Sequence, residues 1–289
     1  MRIRLAPALF ILLLLFPALT FAQKSVKSGT VDVNGGKLFY EEAGTGDAVV
    51  LIHGGQLDRR MWDDQFQLFA ERFRVIRYDV RNYGKSDTAT QVYASEEDLY
   101  ALLKQLDVEK AHLVGLSLGG RIAIDFTLAH PEMVSALVPV GAGMTGFSMP
   151  DNFPWEESLD AAQRGDFAKV TELWLKSGFM APAMENPKLA PRVRQLSMEN
   201  TKDWMSNPLL ERRMKPPAVE RLGEIRAPTL IVAGSRDVLN IQAIAGILQA
   251  RVPGARTVVI PGAGHMVNME KPEEFNRVVL EFLRGLPKN

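Results

Sequence analysis

The segment HLVGLSLGG at residues 112–120 restricts the fold of this chain more than any other stretch. Leu113 and Val114 end an apolar run typical of a strand, and apolar residues spaced by three and four from 121 to 130 predict a helix. Ser117 then stands at a sharp strand-to-helix turn, in a G-x-S-x-G pattern whose glycines allow tight packing. The pattern favours an exposed serine at a helix N-terminus, where free N–H groups suit a developing oxyanion. The alternative is a glycine- and serine-rich turn with no catalytic role. A catalytic role therefore requires that the rest of the chain supply partners for the serine.

Short apolar runs alternate with amphipathic segments along most of the chain. The runs predict eight strands, near residues 30–33, 37–42, 49–52, 74–78, 113–114, 134–140, 229–233 and 257–260. The amphipathic segments predict helices over 61–70, 96–106 with Ser95 as N-cap, 121–130, 241–249 and 273–286. Asn34-Gly35 predicts a hairpin between the first two strands. This order indicates an α/β fold with a mostly parallel sheet, helices on both faces and an antiparallel edge.

Residues 144–221 break the alternation and predict an inserted helical cap. The region holds three of the four tryptophans and seven of the twelve methionines, with many prolines. It is predicted to interrupt a core of residues 23–143 and 222–289, at the carboxyl ends of the strands, where such sheets bind ligands. Packing between cap helices is the alternative role for several candidate pocket residues, which are Met144, Phe147, Trp155, Trp174 and Met266. Their apolar character predicts a pocket for uncharged acyl or aryl groups.

A serine nucleophile needs a base, and the base needs an acid that orients it. Of the four histidines, only His265 lies in a glycine-rich loop after the last strand and downstream of a candidate acid. His53 is the rival, but we interpret it as a structural residue that hydrogen-bonds its own loop. Asp237 follows a strand 28 residues before His265, and the other common position for the acid, after the strand at 134–140, has no carboxylate. The predicted triad is Ser117, Asp237 and His265.

Together these motifs resemble the α/β-hydrolase fold over nearly all of residues 30–287. The matching pieces are His53-Gly54-Gly55 with Trp62, Arg77-Tyr78-Asp79-x-Arg81-x-x-Gly84-x-Ser86, the Ser117 turn, Gly234-x-x-Asp237, and Gly262-x-Gly264-His265 with Glu270-x-Pro272. The resemblance implies an oxyanion hole made by the backbone N–H groups of Gly55 and Leu118. Asn82 departs from the glycine of many relatives but tolerates positive φ, and we interpret Asp79 and Arg81 as structural.

The chain is similar to the compact, capped members of the family, and we expect a serine hydrolase that cleaves a small to medium carboxylic ester or lactone through an acyl-enzyme. Enol-lactonases, cofactor-free perhydrolase- or haloperoxidase-like enzymes and C–C bond hydrolases share these motifs. A proline-iminopeptidase-like aminopeptidase is a further alternative, which Glu156 and Glu157 in the cap leave open. A non-catalytic ligand-binding protein has no need of a complete triad.

Composition limits the partners to small molecules. Lys+Arg and Asp+Glu each number 34, so no basic field indicates nucleic acid binding. Four scattered histidines and no cysteine offer no metal-ligand spacing, and no dinucleotide fingerprint follows the first strand. We therefore expect no metal and no cofactor.

The first 22 residues have the pattern of a signal peptide. Arg2 and Arg4 precede an apolar run, and Ala22 is a small residue suited to cleavage. The mature protein is expected to begin at Gln23, in the periplasm or outside the cell, without stable membrane association. An uncleaved anchor helix is the alternative.

Overall fold

The computed structural model describes residues 24–148 and 153–286 of the chain, and the predicted leader, residues 1–22, lies outside them. Within the described residues, no helix combines the length and apolar character that crossing a membrane requires.

Eight strands of the described chain form one sheet, which confirms the predicted α/β architecture. They are β1 (Val26–Val33), β2 (Gly36–Ala43), β3 (Ala48–Ile52), β4 (Arg74–Tyr78), β5 (Ala111–Leu116), β6 (Val134–Val140), β7 (Leu230–Gly234) and β8 (Arg256–Ile260). Their order across the sheet is β1-β2-β4-β3-β5-β6-β7-β8. β2 pairs antiparallel with β1 and β4, and the remaining neighbours are parallel. The expected hairpin joins β1 to β2, with Gly35 at φ +76° in the turn.

Twelve α-helices, counted over the described residues, surround the sheet and build the cap. They are α1 (Asp63–Ala70), α2 (Ser95–Gln105), α3 (Leu118–Ala129), α4 (Trp155–Gln163), α5 (Phe167–Leu175), α6 (Ala181–Glu185), α7 (Ala190–Glu199), α8 (Lys202–Met205), α9 (Ala218–Arg221), α10 (Leu239–Arg251), α11 (Val267–Glu270) and α12 (Pro272–Arg284). The predicted N-cap at Ser95 is wrong, because Ala94 occupies that position. Ser95 Oγ instead donates to Glu211 Oε1 at 2.6 Å, a long-range partner that local sequence does not reveal.

Alternate residues of the central strands enter two separate cores. On β3, Val50 and Ile52 belong to the core that includes side chains of α2, α3 and α10, whereas Val49 and Leu51 belong to the core that includes side chains of α1 and α12. All four are fully buried, which explains why the strand reads as a continuous apolar run. Burial on both faces fixes the register of β3, because a shift by one residue would exchange the two cores.

Close packing around β5 explains the glycines of the G-x-S-x-G pattern. A Cβ on Gly119 would stand 2.1 Å from the carbonyl oxygen of Ile52 on β3. A Cβ on Gly115 would stand 2.2 Å from the carbonyl oxygen of Gly119. Both distances are far inside van der Waals contact, so only glycine lets the start of α3 approach the sheet this closely.

The chain between β6 and β7 carries α4 to α9 and docks on the core through polar contacts. Asn200 is fully buried, and its Nδ2 donates to Asp58 Oδ2 at 2.8 Å while its Oδ1 accepts from Gly84 N–H at 2.8 Å. Glu211 Oε1 accepts from Arg121 Nη2 at 2.6 Å. Each of these two cap residues therefore joins the cap to a core element near the carboxyl ends of the strands.

Replacing Asp58 with asparagine is expected to lower the stability by about 2 kcal/mol at neutral pH. Burial raises the pKa of this carboxyl, but hydrogen bonds from Arg60 and Asn200 outweigh burial and bring the pKa from 3.8 to about 2. Because the pKa is depressed in the folded state, the stabilisation is complete above about pH 5 and is lost as the pH falls toward 2.

Thermal unfolding of Asp58→Asn and wild type, measured in parallel, checks this expectation. A deficit of roughly 4–8 °C in Tm is expected at pH 7, shrinking to about half near pH 3. A deficit that stays constant as the pH is lowered would contradict the assigned pKa.

Candidate active site

Ser117 lies between β5 and α3 in a strained conformation. Its φ is +55° and its ψ is −110°, a region that a residue with a side chain adopts only when its surroundings hold it there. Its N–H donates to the carbonyl of Val140 at 2.9 Å, and its carbonyl accepts from Arg121 and Gly143 amides at 3.0 Å each. The side chain is partly exposed at the N-terminus of α3. This is the geometry expected of the strand-to-helix turn predicted from the sequence.

His265 and Asp237 form a buried hydrogen-bonded pair beyond the ends of β8 and β7. His265 Nδ1 lies 2.9 Å from Asp237 Oδ2 and 3.1 Å from Oδ1, and both residues are at most 4% exposed. Since an ionised carboxylate only accepts, we assign the imidazole proton to Nδ1, which leaves the lone pair on Nε2. Nε2 is therefore the atom of His265 able to accept a proton from a nucleophile.

The end of β6 brings this pair next to the serine turn. Val140 accepts the Ser117 N–H, and Gly141 follows it directly. A Cβ on Gly141 would stand 3.1 Å from Asp237 Oδ2 and 3.3 Å from His265 Nδ1. The three residues of the predicted triad thus gather around the end of one strand, although they are far apart in sequence.

Glu270 is a site residue whose role sequence reasoning missed. Its Oε2 accepts from Gly264 N–H at 2.7 Å and its Oε1 from Met266 N–H at 3.0 Å, so the carboxylate spans His265. Burial raises the pKa of Glu270, and the two amide bonds oppose that effect. Glu270 holds the histidine loop in place, and the Glu270-x-Pro272 motif was the available signal. Phe179 from the cap packs edge-on against the His265 ring, with centroids 5.0 Å apart.

The loop after β3 approaches the serine closely. A Cβ on Gly54 would stand 3.6 Å from the Cβ of Ser117. Within the described residues, neither the Gly55 nor the Leu118 amide donates to a protein acceptor. Two amide donors beside the serine turn are the arrangement needed to stabilise an oxyanion.

His53 has a structural environment. Its Nε2 accepts from Val80 N–H at 2.9 Å and its Nδ1 donates to the carbonyl of Gly54 at 2.7 Å, so both ring nitrogens are occupied. Burial lowers its pKa, which keeps the ring neutral. These contacts match the sequence interpretation that His53 ties down its own loop.

The polar loop after β4 is braced from several directions. Asp79 accepts from Arg59 Nη1 at 2.8 Å, and Arg81 pairs with Asp98 at 2.6 Å. Asn82 adopts φ +77°, the positive value that its side chain was expected to tolerate. These side chains make their contacts within the core, in line with the structural role that the sequence predicted for Asp79 and Arg81.

The predicted pocket residues differ in their surroundings. Met144 and Met266 are buried, Phe147 and Trp174 are partly buried, and Trp155 is 51% exposed beside Phe153. A groove of about 550 Å³ runs between the cap and the loop after Asp237, and the described residues lining it do not include these five. Its walls are largely apolar, formed by Phe153, Pro154, Leu173, Lys176, Ser177, Gly178, Phe179, Val238, Leu239 and Asn240. Phe179 connects this groove to the His265 ring.

Charges near the serine turn are balanced. Arg121, one helical turn after Ser117, is buried and pairs with Glu211 at 2.6 Å and with Asp125 at 3.5 Å. Among the described residues, no group of three or more histidines, aspartates or glutamates is arranged to hold a metal ion.

Comparisons with known proteins agree with this fold. A family model described as the alpha/beta hydrolase family matches residues 49–278. A 2-hydroxy-6-oxononadienedioate/2-hydroxy-6-oxononatrienedioate hydrolase from Burkholderia vietnamiensis is 32% identical over 270 residues, covering 86% of this chain and 91% of the relative. The solved enol-lactonase from Burkholderia xenovorans LB400 has a TM-score of 0.77 at 24% identity, covering 89% of this chain and all of that one. A thermophilic esterase from Thermogutta terrifontis has a TM-score of 0.77 at 26% identity, covering 89% and 98%.

Proposed function

The chain belongs to the alpha/beta hydrolase family, and from that premise we propose that it is a serine hydrolase with Ser117 as nucleophile, His265 as base and Asp237 as the orienting acid. The hydrogen bond between His265 Nδ1 and the Asp237 carboxylate, next to a strained serine, is the observation that carries the proposal. A metal or cofactor has no part in this mechanism.

The proposed reaction proceeds through an acyl-enzyme. His265 Nε2 takes the proton of Ser117 Oγ as the oxygen attacks the substrate carbonyl carbon. The carbonyl oxygen becomes an oxyanion and accepts from the N–H groups of Gly55 and Leu118. When the tetrahedral intermediate collapses, His265 gives its proton to the departing alkoxide. Water then attacks the acyl-enzyme with the same base, releasing the carboxylic acid and restoring the serine.

We propose uncharged carboxylic esters or lactones of small to medium size as substrates. The groove beside His265 is largely apolar, and the one cation among the described residues that line it, Lys176, is paired with Glu172. A charged group bound there would lose hydration and find little compensation for it. The guanidinium of Arg121 is already paired with two carboxylates. The enol-lactonase and the esterase among the structural neighbours act on bonds of this type by their names.

C–C bond hydrolysis is the second candidate, and the relatives favour it. The Burkholderia vietnamiensis relative is named for a dioate, a substrate with two carboxylates. Cleavage of such a compound would use the same serine and histidine, but a dianion also needs unpaired cations. Because Arg121 and the Lys176 of the groove are both already paired with carboxylates, we rank this reaction below ester hydrolysis.

Comparison of kcat/KM across substrate classes tests the proposal. p-Nitrophenyl acetate, butyrate and octanoate represent esters, 2-hydroxy-6-oxononadienedioate represents the C–C substrates, and prolyl and alanyl arylamides represent aminopeptidase substrates. We expect kcat/KM for at least one ester to exceed the values for the dioate and the arylamides by about tenfold or more, because those substrates carry charged groups that would have to be desolvated. A tenfold preference for the dioate or for an arylamide would reverse the assignment. Halogenation of an organic acceptor in the presence of bromide, acetate and peroxide would identify a perhydrolase.

A further inference from the structure

The residue after the proposed oxyanion donor is held in an unfavourable conformation. Gln56 directly follows Gly55 and has φ +58°, in the left-handed region that side chains rarely adopt. Its side chain is 7% exposed. A conformation of this kind persists only where surrounding contacts hold it.

A carboxylate from the cap supplies such contacts. Gln56 Nε2 donates to Asp203 Oδ2 at 3.4 Å, and the Tyr83 hydroxyl faces the same carboxylate and acts to lower its pKa. The same hydroxyl lies 3.6 Å from the point where a Cβ on Gly55 would stand. Asp203 therefore binds one side chain of the oxyanion loop and faces a hydroxyl that packs directly against Gly55.

The cap segment around Asp203 is itself fixed to the core. Asn200 bridges Asp58 and Gly84, as described above. Lys202 Nζ donates to the carbonyl of Ser86 at 3.1 Å. Asp203 is thus presented to the loop from a rigidly docked element.

The direct donors to the Asp203 carboxylate are uncharged. The amide of Gln56 donates to it and the Tyr83 hydroxyl faces it, whereas Ser206 Oγ donates to the backbone carbonyl of Asp203 at 2.7 Å. The charged groups acting on the carboxylate are Glu211 and Arg213. The Arg213 guanidinium is paired with Glu211 at 2.9 Å. Burial raises the pKa of Asp203, and the Tyr83 hydroxyl that faces the carboxylate opposes that effect.

We propose that Asp203 is a positioning residue for the oxyanion hole: through Gln56 and Tyr83 it holds the 54–56 loop with the Gly55 N–H directed at the substrate carbonyl. The inference rests on the proposed serine hydrolase function. It makes the docked cap part of the catalytic apparatus, because a core without Asp203 would lack the contact that keeps Gln56 in place. Its effect should appear in kcat, since the oxyanion forms only after substrate binds.

Kinetics of Asp203→Ala and Asp203→Asn with p-nitrophenyl butyrate test the proposal. Asp203→Ala should lower kcat by about 10- to 100-fold with KM within about twofold, a smaller effect than loss of an oxyanion donor itself. Asp203→Asn keeps one acceptor oxygen and should lose less. Asp160→Asn is the matched control, because Asp160 is an exposed cap aspartate on α4 paired with Arg164, the C-cap residue of that helix. The control should retain wild-type kcat.

A double-mutant cycle separates positioning from a general loss of stability. Gln56→Gly removes the amide and relieves the positive φ, so it should lower kcat without lowering Tm. Combined with Asp203→Ala, it should add little further loss in kcat, because both changes break the same contact. A kcat within twofold of wild type in both single variants, or fully additive losses, would overturn the proposal. Wild-type enzyme without any ester turnover would instead overturn the proposed function.

Discussion

Ser117→Ala is expected to lower kcat for p-nitrophenyl esters by about 10⁴-fold or more, with the fold intact. Without Oγ no acyl-enzyme forms. The oxyanion donors that remain can then stabilise only the direct attack of water on the substrate carbonyl. Alanine keeps the Cβ that already fits at φ +55°, and the backbone bonds to Val140, Arg121 and Gly143 do not involve the side chain. We therefore expect Tm to change by no more than a few degrees.

Steady-state kinetics and intact mass after fluorophosphonate treatment measure this effect together. Wild type should gain one adduct, and the variant none. Ser197→Ala is a suitable control, because Ser197 is a buried cap serine whose hydroxyl finds no hydrogen-bond partner among the described residues. Retention of more than about a tenth of wild-type activity in pure Ser117→Ala would end the assignment of the nucleophile.

His265→Ala should be about as damaging as Ser117→Ala, because a serine without its base gains little from the rest of the site. His53→Ala is the matched comparison. It removes the acceptor of the Val80 N–H and a donor to Gly54, so it should lower the stability by about 2–4 kcal/mol. Its kcat is expected to stay within about tenfold of wild type, since neither ring nitrogen is free to act as a base.

Activity and Tm measured on both variants distinguish the two roles. The expected pattern is an inactive, stable His265→Ala and an active, less stable His53→Ala. The reverse pattern in kcat, with both proteins folded, would mean that the base has been wrongly assigned.

The alternation of short apolar runs with amphipathic segments was sufficient to predict the sheet. Seven of the eight predicted strands lie within one of the observed strands, and the one at 229–233 begins one residue before β7. The central strands were the clearest, because a strand buried on both faces has to be apolar throughout. The Ser117 turn was equally readable, since only glycine fits at positions 115 and 119. The ends of helices were predicted less accurately. α2 begins at Ser95, one residue before the predicted start. The first turn of the helix predicted at 61–70 is part of a separate 3₁₀ turn over Arg59–Trp62.

The sequence by itself determined the fold class, the serine turn and the candidate base and acid, because these depend on local spacing and chain order. Only the tertiary structure decided what Glu270, Asp203 and Ser95 do. Glu270 spans the histidine loop, Asp203 reaches the oxyanion loop from an inserted cap, and Ser95 bonds a residue 116 positions away. A carboxylate or a hydroxyl residue is written the same way in a sequence whatever it contacts in the fold. Their roles follow from which buried donors and acceptors the folded chain brings within hydrogen-bond distance of them. For Asp203 and Ser95 those partners are more than 100 positions away, and such long-range pairing leaves no local pattern.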